Sequence, residues 1–300
     1  MSSTDVEHAI ALEKERAFEA AITRRASWGR VTSWLGPAIL ALAVVCAIFP
    51  GQIAPRSPQA ADPDRILLPP SRENWFGTDI NGFDIFSRIV WGARIDLTIA
   101  VISTSVAVTI GTLLGAWTGY YFGRRRVGWL ADALLRALDV VQAFPVFVLA
   151  LALVAILGRN VSNIVYVLIV LEVPIFVRLA RSAVLRTREE VYVDAARCAG
   201  NSELRVVLRH VLPNSLTPSL VNASVVSGFA VLLTAGLSFV GAGVPVPTAE
   251  WGYMVAVGAR SLITGQWWPA VFPGITIGLV VLAFALTGDA IRRYFDPAAR

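Results

Sequence analysis

One carboxylate stands inside an apolar run. Glu172 is the only charged residue in 160–177, and it lies two residues before Pro174. An ionisable side chain in such a run is costly and is a functional candidate by default. Glu172 can line a polar path, or it can bond backbone groups freed by the proline. Asn222 is a weaker pathway candidate in a later apolar run. Asp132, Arg136 and Asp139 follow i, i+4, i+7 spacing, which suits an ion-pair ladder on one helix face. Covalent chemistry finds no complete set. Gly236-Leu237-Ser238-Phe239-Val240-Gly241 presents a serine, but a serine nucleophile needs a base. The two histidines, His8 and His210, fall outside the expected spans. There is no Gly-x-x-x-x-Gly-Lys-Ser/Thr loop for phosphates, no His-Glu-x-x-His and no Cys/His cluster for a metal. Cys46 and Cys198 read as unpaired packing residues. No catalytic residues and no cofactor or metal site are expected on this chain: an enzyme such as a membrane protease is the weak reading, and transport or scaffolding remain.

The elements that hold these residues must sit in a bilayer. Hydrophobic residues make up 56% of the 300 and charged residues 16%, against about 25% charged in an average soluble chain. Mean hydropathy is +0.64. A soluble domain with this balance could not cover its core. With Gly 23, Pro 16 and Cys 2, collagen-like, disordered and disulfide-framework chains are excluded. The net charge of +5 is first a topology signal in such a chain, and no nucleic-acid partner is read from it.

A span needs roughly 20 mostly apolar residues. Charge-free windows place six transmembrane helices near 34–54, 96–122, 132–157, 161–181, 215–240 and 268–290. With the N-terminus cytoplasmic, 18 basic residues fall on inside segments and seven outside, so both termini are expected in the cytoplasm. The first helix reads as an uncleaved span, because its leader is long and carries several acids. The organisation expected is a cytoplasmic segment 1–33, with a loosely amphipathic stretch at 6–25; a first transmembrane helix 34–54; and an extracytoplasmic loop 55–95. A core 96–292 of five transmembrane helices follows, with a cytoplasmic loop 182–213, and then a tail 293–300. Within loop 55–95, Asp84 suits the N-cap of a short helix bearing Ile85, Phe86, Ile89 and Val90.

The second span carries Ser103, Ala107, Gly111, Gly115, Gly119 and Gly123 at intervals of four. Small residues at this spacing let another backbone approach closely. The partner is another helix of this chain or one of a partner subunit.

The loop between the fourth and fifth spans is the most informative stretch. Its residues 189–200 read as a short helix ended by Gly200, and Ser202 suits the N-cap of a second one. Pro213 marks entry to the next span. Two short helices at an angle, with a small Ala195-Ala196 surface, make a knob projecting inward.

At these residues the chain resembles the permease subunits of bacterial ABC importers. Their signature is Glu-Ala-Ala, three residues, Gly, nine residues, an apolar position, any residue, Leu-Pro. Asp194, Ala195, Ala196, Gly200, Leu212 and Pro213 match at that spacing, with Asp194 in place of Glu and His210 in the apolar position. His210-Val211-Leu212-Pro213-Asn214 resembles the dipeptide, oligopeptide and nickel branch. Two further blocks are similar to that branch. One is Gly77-Thr78-Asp79 through Gly82-Phe83-Asp84 to Ser87-Arg88, with Phe83 where the branch has Arg. The other is Leu237-Ser238-Phe239-Val240-Gly241-Ala242-Gly243 followed by Trp251-Gly252. The long N-terminus and the span count resemble the C-type subunit of the two paired permeases.

The resemblance implies the all-α type I ABC importer permease fold with six transmembrane helices. It also implies a complex in the bacterial inner membrane. A homologous second permease completes the pore, one or two ATPase subunits hold the ATP and Mg, and an extracytoplasmic binding protein delivers substrate. Glu190, Asp194, Ala195, Ala196, Gly200, Leu212 and Pro213 would form the ATPase-docking loop, and Gly111, Gly115 and Gly119 a helix-packing stripe. Di- and oligopeptides are the expected cargo. Nickel, glutathione and sugar are the alternatives within the branch, and a stand-alone channel or secondary transporter is the alternative outside it.

Overall fold

The computed structural model describes residues 34–123, 128–245 and 247–295. The residues 1–33, 124–127, 246 and 296–300 lie outside it, and with them the stretch 6–25, Arg124–Arg126 and the last residues of the tail. The described chain is helical, with one isolated antiparallel bridge between Thr78 and Asp84. Its helices are α1 (Trp34–Ile48), α2 (Ile85–Tyr120), α3 (Gly128–Gln142), α4 (Val146–Leu157), α5 (Val161–Thr187), α6 (Val191–Cys198) and α7 (Glu203–Val206). They continue as α8 (Leu212–Ser215), α9 (Thr217–Phe239), α10 (Trp251–Ala259) and α11 (Trp268–Phe295).

Four of these, α2, α5, α9 and α11, are long and apolar enough to cross a membrane, and α3 with α4 makes a fifth if the bent pair is one span. Where a first span is expected, at 34–54, the chain forms α1, an apolar helix shorter than a span, then a break at Phe49 and a short helix Pro50–Ile53. A proline disfavours helical geometry in the residue before it, and Phe49 has φ −115° and ψ 42°.

Two expected boundaries are corrected. The second span is expected at 96–122, but α2 starts at Ile85, so the loop expected at 55–95 ends eleven residues earlier. Charges at Arg88, Arg94 and Asp96 had closed the charge-free window, and each is accommodated. Arg88 donates to the carbonyls of Pro58 and Thr248 at 3.1 and 3.4 Å, and its guanidinium lies 4.4 Å from the Phe83 ring. Arg94 donates to the carbonyls of Ala47 and Ile48 at the end of α1. Asp96 accepts from the Trp251 amide. Asp84 does cap a helix, accepting from the Ser87 amide at 2.9 Å, but that helix is α2 itself. At 1.5 Å per residue α2 is about 54 Å long, well beyond the ~30 Å hydrocarbon core.

The third span, expected as one helix at 132–157, is broken into α3 and α4 at a 92° bend. Pro145 is the N-cap of α4 and offers no N–H to the preceding turn. The ladder expected within α3 is also replaced. Asp139 pairs across to Arg178 on α5 at 2.5 Å.

The small-residue stripe of α2 faces α5 of the same chain. A Cβ on Gly111 would lie 2.5 Å from the Phe176 Cβ, and one on Gly115 would lie 2.5 Å from the Val177 carbonyl and 2.7 Å from the Ala180 Cβ. Gly119 lies against Arg181 and Val184. The two helices therefore touch backbone to backbone along their length. On the other side of the bundle Gly228 of α9 meets Phe284 of α11, and Ser224 donates to the Phe284 carbonyl. Gly36 of α1 seats on Ala283 and Leu286 of α11.

Overpacking a filled contact costs about 1–3 kcal/mol or more. Gly111→Leu should therefore lower the thermal midpoint of the detergent-purified chain clearly. Leu113→Ala, on the exposed face of the same helix, should stay within about 0.5 kcal/mol of wild type. Equal midpoints for the two variants would remove the close contact from the account.

Candidate functional site: the knob and the polar groups of the bundle

The knob is built from α6, α7, a π-helical turn at Val207–Val211 and α8. Its α6 ends as its sequence demands. Gly200 has φ +79°, a conformation that costs other residues roughly 1 kcal/mol or more. Its amide donates to the Arg197 carbonyl, and the Asn201 side chain donates to the Ala196 carbonyl. Ser202 stands at the N-cap position of α7 but makes no side-chain cap bond, and Glu190 does the same at α6. Pro213 has no N–H to give the preceding turn, and the Asn214 side chain bonds the His210 carbonyl in that turn.

One face of the knob is apolar and buried. Val193, Ala196, Val206 and Val211 pack with Ala116 and Tyr120 of α2 and Val184 of α5. Leu212 packs at the edge of this cluster. The expectation that Ala195 and Ala196 form one surface is corrected here. Val193 and Ala196, three apart, share the buried face of α6, while Ala195 is exposed. Ala196 is 8% exposed and serves the knob's own core.

Polar staples fix the same junction. The Tyr120 hydroxyl donates to the Glu203 carboxylate. Arg188 donates to the carbonyls of Gly119, in the last turn of α2, and Phe122, just beyond it, and its guanidinium also pairs with Glu189. A cation at these orphan carbonyls also matches the helix dipole. Ser215 donates to Thr187 at 3.1 Å. Asp194 pairs with Arg197 at 2.7 Å, one turn along its own helix.

The opposite face is left open. Val191 is 83% exposed and Leu204 66%, with Tyr192 and Leu208 also exposed. Leu204 and Leu208 line a shallow groove with Ser202, Arg205, Arg209 and Pro213. The groove thus sets two apolar side chains beside two arginines.

The pathway candidates lie elsewhere. Glu172 is 2% exposed between α5 and α2. It faces the Ser103 and Thr104 hydroxyls, but neither carboxylate oxygen makes a hydrogen bond of ordinary geometry. It bonds no backbone group near Pro174. Asn222 is half-buried and donates to the Pro218 carbonyl in its own helix.

The end of the bundle away from the knob holds the other two sequence blocks. Asp79 accepts from the amides of Asn81 and Phe83, and Thr78 donates to the Arg65 carbonyl while its own carbonyl accepts from the Trp268 indole. Burial pushes the Asp79 carboxyl up, opposed by those two amides and by Arg88. Trp251, 1% exposed, donates its indole N–H to the Ile89 carbonyl of α2. Glu250 caps α10 through the amides of Gly252 and Tyr253. Tyr120, Arg188, Glu203, Arg88, Asp96 and Glu250 were not singled out from the sequence as site residues.

The described residues thus form packed apolar helices with a knob at one end of the bundle, and no cluster of metal-ligating side chains is found among them. The family described as "Binding-protein-dependent transport system inner membrane component" matches residues 111–300. The chain is 41% identical over 263 residues to a dipeptide transport system permease protein of Alkalihalophilus pseudofirmus, covering 88% of this chain and 84% of that one. It is 40% identical over 262 residues to a probable D,D-dipeptide transport system permease protein of Escherichia coli, covering 87% and 86%. Against a glutathione transport system permease protein of Shigella boydii the identity is 38% over 257 residues, covering 85% and 83%. The chain belongs to the inner membrane components of binding-protein-dependent transport systems, and is a multi-pass membrane permease subunit of that family.

Burying an unpaired carboxylate is costly. Glu172→Gln removes the charge and keeps the shape, so it should leave the thermal midpoint unchanged or raise it. A large drop in midpoint would show that the charge itself holds α5 to α2.

Proposed function

We propose that this chain is one of two permease subunits of an ATP-driven importer of di- and oligopeptides, in the bacterial inner membrane. The relatives named for dipeptide transport support the cargo, and the match to a glutathione permease, itself a peptide, is compatible with it. Six spans are inferred by counting α1 and taking α3 with α4 as one broken span, with both termini on the knob side and that side cytoplasmic. A second permease then completes the pore, a binding protein approaches the opposite end, and ATP with Mg acts on partner ATPases. No covalent step occurs on this chain.

The observation that carries this reading is the two-faced knob. Its inner face is packed onto the ends of α2 and α5, and its outer face offers Val191, Tyr192, Leu204 and Leu208. A partner that grips the outer face moves α2 and α5 with it. Glu190, Asp194, Ala195 and Pro213 stand exposed around that face, and Gly200 sets its turn.

The two alanines separate docking from folding. Ala195→Trp should leave the midpoint of the chain near wild type while abolishing co-purification of the ATPase and peptide uptake. Ala196→Trp should lower the midpoint, because its side chain enters a filled cluster. Normal uptake with the ATPase retained in Ala195→Trp would overturn the docking assignment. Labelling of a cysteine at Ser57 by an impermeant maleimide from outside, with none at Leu204, checks the orientation. The reverse pattern would invert it.

A further inference from the structure

We propose that Asp96 and Glu250 form a proton-binding site, two buried carboxyls that hold one proton between them and so seat the 247–264 segment on α2. The site does not rest on the transport reading. Asp96 is 1% exposed and Glu250 0%. Their side chains face each other at hydrogen-bonding range, 154 positions apart in sequence. Two carboxylates in such contact cannot both ionise without a cation.

Among the described residues, no cation reaches the pair. On α2, Arg88 is committed to the carbonyls of Pro58 and Thr248, and Arg94 to those of Ala47 and Ile48. The Arg88 charge is felt by Asp79 and Tyr253, while neither Asp96 nor Glu250 has a basic side chain among its electrostatic neighbours. The segments packed on the pair otherwise bring Ser238 of α9 and Trp251 of α10.

The donors present do not satisfy the oxygens. Glu250 receives the Gly252 and Tyr253 amides, and Asp96 Oδ2 receives the Trp251 amide at 3.2 Å. Asp96 Oδ1 is buried without a partner. The Ser238 hydroxyl, 2% exposed, faces Glu250 and makes no hydrogen bond of ordinary geometry. A proton on one carboxyl supplies the missing donor and removes the repulsion. The proton belongs to the pair rather than to either residue.

The direction of the pH effect follows. Burial pushes the Glu250 carboxyl above its ordinary value, against the pull of its amide donors. A carboxyl raised in this way adds stability that is complete below its unfolded pKa and is lost as pH rises through the folded value. What loosens is the far-end segment, because the Trp251 amide and indole tie it to α2 at the same place.

The test uses the full chain in detergent, in a Glu172→Gln background so that this buried carboxyl is silent. The thermal midpoint should fall as pH rises above the ordinary carboxyl range, and Asp96→Asn and Glu250→Gln should each flatten that fall. Infrared difference spectra across the same range should show loss of a protonated carboxyl band that both variants lack. Asp79 and the buried Asp84 stay in place throughout and cancel in the comparison. Should one variant fail to fold, the other and the infrared band decide. An undiminished pH dependence in the variants, no protonated band in the parent, or sodium replacing the proton at high pH would each overturn the proposal.

Discussion

Along α2, Gly111, Gly115 and Gly119 leave no room for a side chain against α5, and the knob is mounted on the end of that contact. In a bilayer there is no hydrophobic force to press helices together, so close backbone packing must supply it. The pair runs from the core at the far end, through Ile99, Leu168 and Leu171, to Ala116 and Val184 beneath the knob. Tyr120 and Arg188 then tie the knob to both helices at once. A push on the knob is thereby a push on α2 and α5.

The far end is organised by a different means. There the backbone leaves the helical ladder, and buried polar side chains satisfy its groups, as buried peptide groups require. Asp79, Asp84 and Glu250 take up amides, and Arg88 and the indoles of Trp251 and Trp268 take up carbonyls. The sequence block 77–88 is thus a set of staples. Phe83, which departs from the branch pattern, supplies the ring face beneath Arg88.

Apolar runs were legible because a bilayer imposes a length that charge-free windows measure directly. That measure fails where charges are internally satisfied, as at Arg88 and Asp96, and it is blind to Pro145, which bends a charge-free run through 92°. The knob's turn was legible at Gly200, whose φ of +79° needs glycine. The burial of Ala196 was available from the three-residue spacing to Val193, yet adjacency to Ala195 suggested one shared surface. Tyr120 with Glu203, 83 positions apart, and Asp96 with Glu250 have no local signature. Such pairs are set by tertiary packing alone.

The central claim is that the knob and the α2–α5 pair are one mechanical body. Amide hydrogen exchange on the purified chain tests it most directly, because exchange reports the cooperative units of a fold. The comparison is between wild type and Gly115→Leu, a substitution buried against Val177 and Ala180 and distant in sequence from the knob. The account predicts that protection falls together in 111–120, 176–187 and the knob residues 193–211. Knob amides that keep wild-type protection while the helix pair loosens would contradict it.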